Sequence, residues 1–102
     1  MLVACGSFNP IHNFHLRMLE LAKDRLKHKF KGYGFRGLIS PVSDGYKKPG
    51  LQPFSVRSKM VNLAVETSQW IELSNKEGLK PTWTLTNDVL SEIKNDLRFV
   101  VQ

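Results

Sequence analysis

The spacing of hydrophobic residues changes several times along the chain and predicts an alternation of strands and helices. Residues 2–5 are apolar and end at Gly6, a pattern typical of a buried parallel strand. From Asn13 onward the spacing becomes helical, because Pro10 prevents an earlier start and Asn13 can cap the helix. The residues predicted to face inward from this helix are Phe14, Met18, Leu19, Leu21, Ala22 and Leu26.

The same alternation continues to the end of the chain. Residues 35–39 and 70–73 predict two more strands, and residues 54–67 predict a second helix after a loop rich in Gly, Pro, Ser and Lys. Thr82 can cap a third helix, and residues 99–101 predict the start of a fourth strand. The residues predicted to face inward are Val56, Met60, Leu63 and Ala64 in the second helix, and Leu85, Val89, Leu90 and Ile93 in the third.

This order of elements predicts an α/β fold in which right-handed crossovers build a doubly wound parallel sheet. A fourth strand with no helix after it would leave a sheet edge uncovered, which whole proteins usually avoid. We therefore expect residues 1–102 to form the N-terminal portion of an α/β domain that is truncated after its fourth strand.

Composition indicates a soluble globular protein. Hydrophobic residues make up 41% of the chain and charged residues 24%, and no apolar stretch approaches the ~20 residues of a membrane span. No secretory signal precedes the first strand, so we expect an intracellular protein whose compartment the sequence does not specify. The single cysteine, Cys5, excludes an internal disulfide, and its apolar neighbours predict a small buried side chain rather than a reactive thiol.

Excess positive charge favours polyanionic partners, and nucleotides qualify as well as nucleic acids. The formal net charge is +6. Much of the excess lies near the end of the first helix, where cations complement the helix dipole, so we interpret it as a solvated surface. These cations are not interleaved with aromatic residues as in a nucleic-acid-binding module, which makes nucleic acid an unfavoured partner. The cations are Lys23, Arg25, Lys27, Lys29, Lys31 and Arg36.

The segment between the first strand and the first helix carries the candidate chemistry, because ligands of parallel sheets bind beyond the carboxyl ends of strands. Gly6 can adopt a positive φ and lets a phosphate approach the backbone, while nearby N–H groups at the helix start attract anions. His12 and His15 are three residues apart, so both can donate hydrogen bonds to phosphate oxygens. Two alternatives are a structural histidine pair and a zinc pair, but only Cys5 and the distant His28 could complete a metal site, so none is predicted.

Two motifs carry a resemblance to a known family. The pattern Gly-x-Phe-x-Pro-x-His-x-x-His at residues 6–15 resembles the signature of the nucleotidyltransferase superfamily. With the segment Ile-Ser-Pro-Val-Ser-Asp-Gly-Tyr-Lys-Lys at residues 39–48, the chain is similar over nearly its whole length to eukaryotic nicotinamide mononucleotide adenylyltransferases. The resemblance implies a Rossmann-like fold and adenylyl transfer from ATP to nicotinamide or nicotinate mononucleotide, which yields NAD or its deamido form and pyrophosphate. It also implies Mg²⁺ that accompanies ATP, and assembly into homo-oligomers.

The same resemblance implies roles for individual residues. His15 would bind the α-phosphate of ATP with His12 nearby, and Lys48 would reach the phosphates of the dinucleotide; these three are the implied catalytic residues. Trp83 would stack on the nicotinamide ring, with Thr86 close to it. The implied nucleotide-binding residues are Gly6, Ser7, Phe8, His15, Lys48, Trp83 and Thr86.

The chain also departs from that family. Lys76 stands where the family usually carries a tryptophan, and Leu85 stands where some relatives carry a glutamate. The later Gly-x-Asp and Ile-Ser-x-Thr-x-Ile-Arg segments of the family have no counterpart, so we expect this chain alone to be weak or inactive. One alternative is a non-catalytic truncated isoform that acts as a nucleotide-binding or interaction module. Another is a related nucleotidyltransferase whose acceptor is phosphopantetheine or a choline phosphate.

Overall fold

Three parallel strands form the centre of the described part of the molecule. The computed structural model describes the backbone of residues 1–100 and the side chains of residues 1–94. The strands lie in the order β1-β2-β3, with Ala4 beside Ile39 and Ile39 beside Leu73. The predicted α/β fold is confirmed. In chain order the elements are β1 (Leu2–Gly6), α1 (Asn13–Lys27), β2 (Gly37–Pro41), a short 3₁₀ turn (Asp44–Tyr46), α2 (Phe54–Val65), β3 (Ile71–Leu73) and α3 (Thr86–Val100).

The helices α1 and α2 cover one face of the sheet, and α3 covers the other. Successive strand residues point to opposite faces, so Ile39 packs with α1 and α2 whereas Leu38 packs with α3. Because helices lie on both faces, the sheet is doubly wound, and a ligand-binding crevice is expected beyond the carboxyl ends of its strands. The larger core contains Ala4, Phe8, Leu19, Ile39, Val61, Val65 and Ile71, and the smaller contains Leu38, Val89 and Ile93.

The strand β1 is less covered than its sequence predicts. Cys5 is exposed, so the prediction of a buried cysteine is wrong. The reason is that α3 packs against the sheet at Val3 and Leu38 and leaves Cys5 uncovered. By contrast, β2 is buried at every position, and it extends over Gly37–Pro41 rather than over residues 35–39.

The helix α1 packs through a narrower face than predicted. Leu19 is buried and Leu16 packs beside it, but three residues predicted to face inward are exposed. The helix is oriented so that two of its polar side chains contact Trp70. The indole Nε1 of Trp70 donates to Glu20 Oε1 at 2.9 Å. The Lys23 ammonium lies 4.7 Å from the centroid of the same ring. The exposed residues are Phe14, Met18 and Leu21.

The helix α2 buries a different face from the one predicted. Val56, Met60 and Leu63 are exposed, so their predicted inward placement is wrong. The inward positions follow a 3-4-4 spacing, and one of them is occupied by a charged residue, Arg57. The apolar pattern of the sequence favoured the opposite face, because Arg57 interrupts the apolar residues of the inward face. The buried positions are Phe54, Arg57, Val61 and Val65.

The helix α3 begins later and ends later than predicted. Val89 and Ile93 are buried as expected, while Leu85 and Leu90 are exposed. Thr82 does not cap the helix, because the segment 81–83 instead packs closely against the backbone of Gly45. No glycine or proline interrupts the sequence from Thr86 onward, and the helix continues through Val100.

The fourth strand predicted at residues 99–101 is therefore wrong for residues 99 and 100, and residue 101 lies outside the described residues. The described sheet has three strands rather than four. Among the helices of the described residues, none is both long enough and apolar enough to cross a membrane.

Candidate functional site

The loop between β1 and α1 is shaped by Phe8 rather than by Gly6. Phe8 has a φ of 47° and a side chain only 5% exposed, and its ring packs in the larger core. A left-handed conformation costs a non-glycine residue about 1–2 kcal/mol, which the burial of the ring offsets. Gly6 can adopt a positive φ but does not use one, since the glycines with positive φ in the described residues are Gly32 and Gly50.

The two histidines at the start of α1 form a single unit. The backbone N–H of His12 donates to Nδ1 of His15 at 3.0 Å, and the two imidazole rings stack with centroids 3.8 Å apart. His12 is therefore the N-cap residue, and the predicted cap at Asn13 is wrong. The reason is that His15 supplies the acceptor that a glutamate usually provides in a capping box.

This hydrogen bond fixes the tautomer of His15. Because Nδ1 accepts a hydrogen bond from the backbone, a neutral imidazole must carry its own proton on Nε2. Partial burial, and secondly the charge of His12, lower the pKa of His15 below its ordinary value of 6.5. His15 is thus held neutral near pH 7 with one N–H donor available to a ligand.

The backbone polarity of the loop suits an anion. The carbonyl of Gly6 accepts from Val42 N–H at 2.8 Å, and the carbonyl of Ser7 accepts from Arg57 Nη1 at 2.9 Å. Within the described residues, no protein acceptor meets the N–H groups of Ser7 and Phe8. Carbonyl oxygens are thus occupied and N–H donors are free, next to the positive end of the α1 dipole.

Arg57 holds this loop in place, and the sequence analysis gave it no role. Its guanidinium is fully buried and donates to three oxygens: Ser7 O at 2.9 Å, Gln52 O at 2.6 Å and Asp44 Oδ1 at 2.9 Å. Asp44 also accepts from the backbone N–H of Phe54 at 2.8 Å. One side chain therefore ties α2 to the β1–α1 loop and to the 42–53 loop. The sequence signal that could have revealed this role is a charged residue, Arg57, on the same helical face as apolar residues of α2.

A cavity of about 190 Å³ opens at the carboxyl ends of β1 and β2. It brings Gly6 and Ser7 together with Trp83 and Thr86, which come from the far end of the chain. Trp83 precedes α3 rather than lying within it, is about half exposed, and meets Tyr46 with ring centroids 5.7 Å apart. The lining residues are Cys5, Gly6, Ser7, Val42, Tyr46, Glu77, Trp83 and Thr86.

A second groove of about 410 Å³ lies between β1 and α1 and contains His15 and Phe8. Cys5, Gly6 and Ser7 line both cavities, which therefore lie side by side. Two predicted residues lie apart from these walls. His12 is exposed and touches the site through His15, and Lys48 is exposed in the 42–53 loop, where its carbonyl accepts from the backbone N–H of Leu51.

Glu77 is a second residue to which the sequence analysis gave no role. It is 4% exposed, lines the smaller cavity and accepts a hydrogen bond from Ser40 Oγ at 3.0 Å. Burial raises the pKa of its carboxyl group, and Ser40, Lys80 and Arg57 oppose that change. Glu77 is buried because Phe54 packs against Gly78 and encloses this loop. The polar sequence of the loop gave no sign of that contact.

Several known proteins resemble this chain over most of its length. A family model described as cytidylyltransferase-like matches residues 3–102. The chain is 49% identical over 90 residues to nicotinamide/nicotinic acid mononucleotide adenylyltransferase 1 of Bos taurus. The matched segment covers 88% of this chain and 32% of the bovine protein. It is 44% identical over 98 residues to the nicotinamide/nicotinic acid mononucleotide adenylyltransferase of Oryza sativa subsp. japonica, covering 95% of this chain and 39% of that protein.

A third relative is nicotinamide/nicotinic acid mononucleotide adenylyltransferase 1 of Saccharomyces cerevisiae. It is 42% identical over 98 residues, which cover 95% of this chain and 24% of the yeast protein. The chain thus spans between 24% and 39% of the length of these three relatives.

Proposed function

The chain belongs to the cytidylyltransferase-like family, and from that premise we propose that it binds ATP and a nicotinamide or nicotinate mononucleotide for adenylyl transfer. A phosphate oxygen of the mononucleotide forms a bond to the α-phosphorus of ATP. The bond from that phosphorus to the oxygen bridging the β-phosphate breaks, and pyrophosphate leaves. The products are NAD, or its deamido form, and pyrophosphate.

The observation that carries this proposal is the meeting of two distant segments in one cavity. Ser7 offers a free backbone N–H suited to phosphate beside Gly6, and Trp83 and Thr86 offer an aromatic face and a hydroxyl suited to a ring. An indole face attracts a positively charged pyridinium ring by about 0.5–2 kcal/mol. The cavity therefore presents one surface for each end of a mononucleotide.

In this proposal His15 acts as a neutral hydrogen-bond donor. Its Nε2–H would meet the oxygen of the α-phosphate, where negative charge increases as the new bond forms. His12 orients His15 through the 3.0 Å hydrogen bond and the stacked rings. No protein nucleophile is required, so the protein lowers the barrier by placing the reactants and by stabilising charge.

We propose that Mg²⁺ enters with ATP. Within the described residues, no group of three or more His, Cys, Asp or Glu side chains is placed to hold a metal ion. Mg²⁺ is commonly bound by substrate phosphates, water and one or two carboxylates, so a dedicated protein cage is not needed. When bound, the ion neutralises charge on the phosphates. Lys48 is proposed to reach the same phosphates from its exposed loop.

The test is an acceptor panel with the natural protein that carries this chain. ATP is offered with nicotinamide mononucleotide, nicotinate mononucleotide, phosphopantetheine or choline phosphate, and pyrophosphate release is measured. We expect release with the two pyridine mononucleotides and none with the other acceptors. Release with phosphopantetheine or choline phosphate alone would assign a different acceptor. Binding of ATP without release from any acceptor would favour a non-catalytic nucleotide-binding module.

A further inference from the structure

Glu77 is a buried carboxyl group in the wall of the cavity of about 190 Å³. One of its oxygens, Oε2, accepts from Ser40 Oγ at 3.0 Å. The side chain is 4% exposed, yet it lines the same cavity as Tyr46 and Trp83, whose rings are both partly open to solvent. The cavity therefore has two aromatic rings near its mouth and one carboxyl group in its wall.

A planar ring stacked on Trp83 inside this cavity would have the Glu77 carboxyl group in the same cavity wall, available to its substituent. The two acceptors of the proposed reaction differ only in this substituent, which is a neutral carboxamide in one and a carboxylate in the other. A carboxamide offers N–H donors, whereas a carboxylate offers only acceptors. A site that accommodates both needs a group that can accept from one and donate to the other.

We propose that Glu77 recognises this substituent. Ionised Glu77 would accept a hydrogen bond from the carboxamide, and protonated Glu77 would donate one to the carboxylate. This inference rests on the proposed function and names the residue that sets its acceptor preference. The proton is taken from solvent and returned to it, and no covalent step is involved. An ionised Glu77 opposite a substrate carboxylate would place two like charges together, which disfavours nicotinate mononucleotide.

The surroundings of Glu77 act on the pKa of its carboxyl group in both directions. Burial raises the pKa of the carboxyl group, which favours the protonated form, while the Ser40 hydrogen bond and the charges of Lys80 and Arg57 favour the ionised form. From β1, the thiol of Cys5 has a raised pKa, caused first by its own desolvation and then by Glu77. From the 3₁₀ turn, Tyr46 lines the same cavity.

The first test needs no variant. Affinities of the wild-type protein for the two mononucleotides are measured by calorimetry, and kcat/KM by product formation, from mildly acidic to mildly alkaline pH. The phosphate common to both acceptors titrates alike, so its effect cancels in the ratio. We expect the preference for nicotinate over nicotinamide mononucleotide to fall at least several-fold as pH rises. A ratio that does not change with pH would overturn the proposal.

The second test is Glu77→Gln, whose amide donates and accepts at every pH. We expect the pH dependence of the ratio to disappear, with the change in KM rather than in kcat. The matched control is Glu72→Gln, an exposed glutamate of β3 that pairs with Arg36 away from the cavity; it should keep the wild-type profile. A purely structural Glu77 would weaken both acceptors equally and leave the profile intact, which would contradict the inference.

The outcomes separate the inference from the function on which it rests. Transfer to either mononucleotide by the wild-type protein supports the proposed function whatever Glu77→Gln does. If both acceptors bind but no transfer occurs, the proposed function fails and the ratio of dissociation constants still tests Glu77. If neither mononucleotide binds, both proposals are wrong.

Discussion

The Nδ1 atom of His15 accepts a hydrogen bond from the backbone N–H of His12 at 3.0 Å. This bond satisfies a donor at the start of α1 and at the same time fixes the imidazole of the candidate phosphate ligand. Helix capping and ligand binding therefore depend on one side chain. Substitutions at position 15 that keep the cap can be distinguished from those that remove it.

Replacement of His15 by asparagine should separate these two roles. The amide oxygen of asparagine can take the place of Nδ1, whereas nothing replaces the Nε2–H donor. We expect His15→Asn to unfold in urea within about 0.5 kcal/mol of wild type, and His15→Ala to lose about 1 kcal/mol with its cap. Both variants should lose about 10²–10³-fold in kcat for adenylyl transfer. Wild-type turnover by His15→Asn would contradict the role given to this residue.

Stability should also depend on pH through His15. Its folded-state pKa lies below the ordinary value of 6.5, so the unfolded chain binds more protons as pH falls through this region. The contribution of His15 to the free energy of unfolding is therefore present above about pH 6.5 and decreases as the solution is acidified. We expect the stability of wild type relative to His15→Asn to fall between neutral and mildly acidic pH. Denaturant unfolding of both proteins at several pH values measures this, and a relative stability that rises on acidification would contradict it.

Loss of the Arg57 guanidinium should destabilise the whole site. Arg57→Met keeps much of the side-chain volume but leaves the carbonyls of Ser7 and Gln52 without their donors. We expect a loss of about 2–4 kcal/mol in the free energy of unfolding, below the upper end for buried ion pairs because Asp44 is itself largely exposed. Urea denaturation provides the measurement.

The matched control for Arg57 is Arg36→Met. Arg36 pairs with Glu72 at 2.9 Å, but both side chains are about half exposed. Such a surface pair contributes about 0–1 kcal/mol. Equal losses in the two variants would show that the buried hydrogen bonds of Arg57 do not hold the loop.

Strand and helix order could be predicted from the sequence, because apolar spacing reports which residues pack. The β1–α1 loop was also located correctly, since a glycine that follows a strand and precedes a helix marks the ligand-binding edge of a parallel sheet. The helix faces were less predictable. Arg57 occupies an inward position of α2, and its three hydrogen-bond acceptors come from loops whose positions depend on the complete fold.

The positions of Trp83 and Glu77 depend on close packing that spacing does not reveal. The segment 81–83 reaches the cavity because it lies directly on Gly45, where an added Cβ would come within 2.8 Å of Pro81 O and Trp83 N. Thr82 satisfies the rules for a helix cap, but this contact holds it outside the helix. A sequence rule that considers only neighbouring residues therefore places the helix start too early.

The contact at Gly45 leads to a prediction about the ring-binding side of the cavity. Gly45→Ala should push the segment carrying Trp83 away from the 3₁₀ turn and raise the KM for the mononucleotide, by about 2–30-fold if the stacking is lost. The KM for ATP should change much less. Gly34→Ala is the control, because an added Cβ there meets no atom within 4 Å. Unchanged kinetics in Gly45→Ala would show that Trp83 does not contact the ring.

Free backbone donors at the β1–α1 junction should bind polyphosphate, and amide NMR can follow these donors individually. The ¹⁵N-labelled protein is titrated with pyrophosphate while the backbone signals are followed. We expect the N–H signals of Ser7, Phe8, Asn13 and Phe14 to shift together and to saturate with one dissociation constant. If those signals do not shift while the signals of the basic residues 27–36 do, the free N–H groups at the β1–α1 junction do not bind polyphosphate.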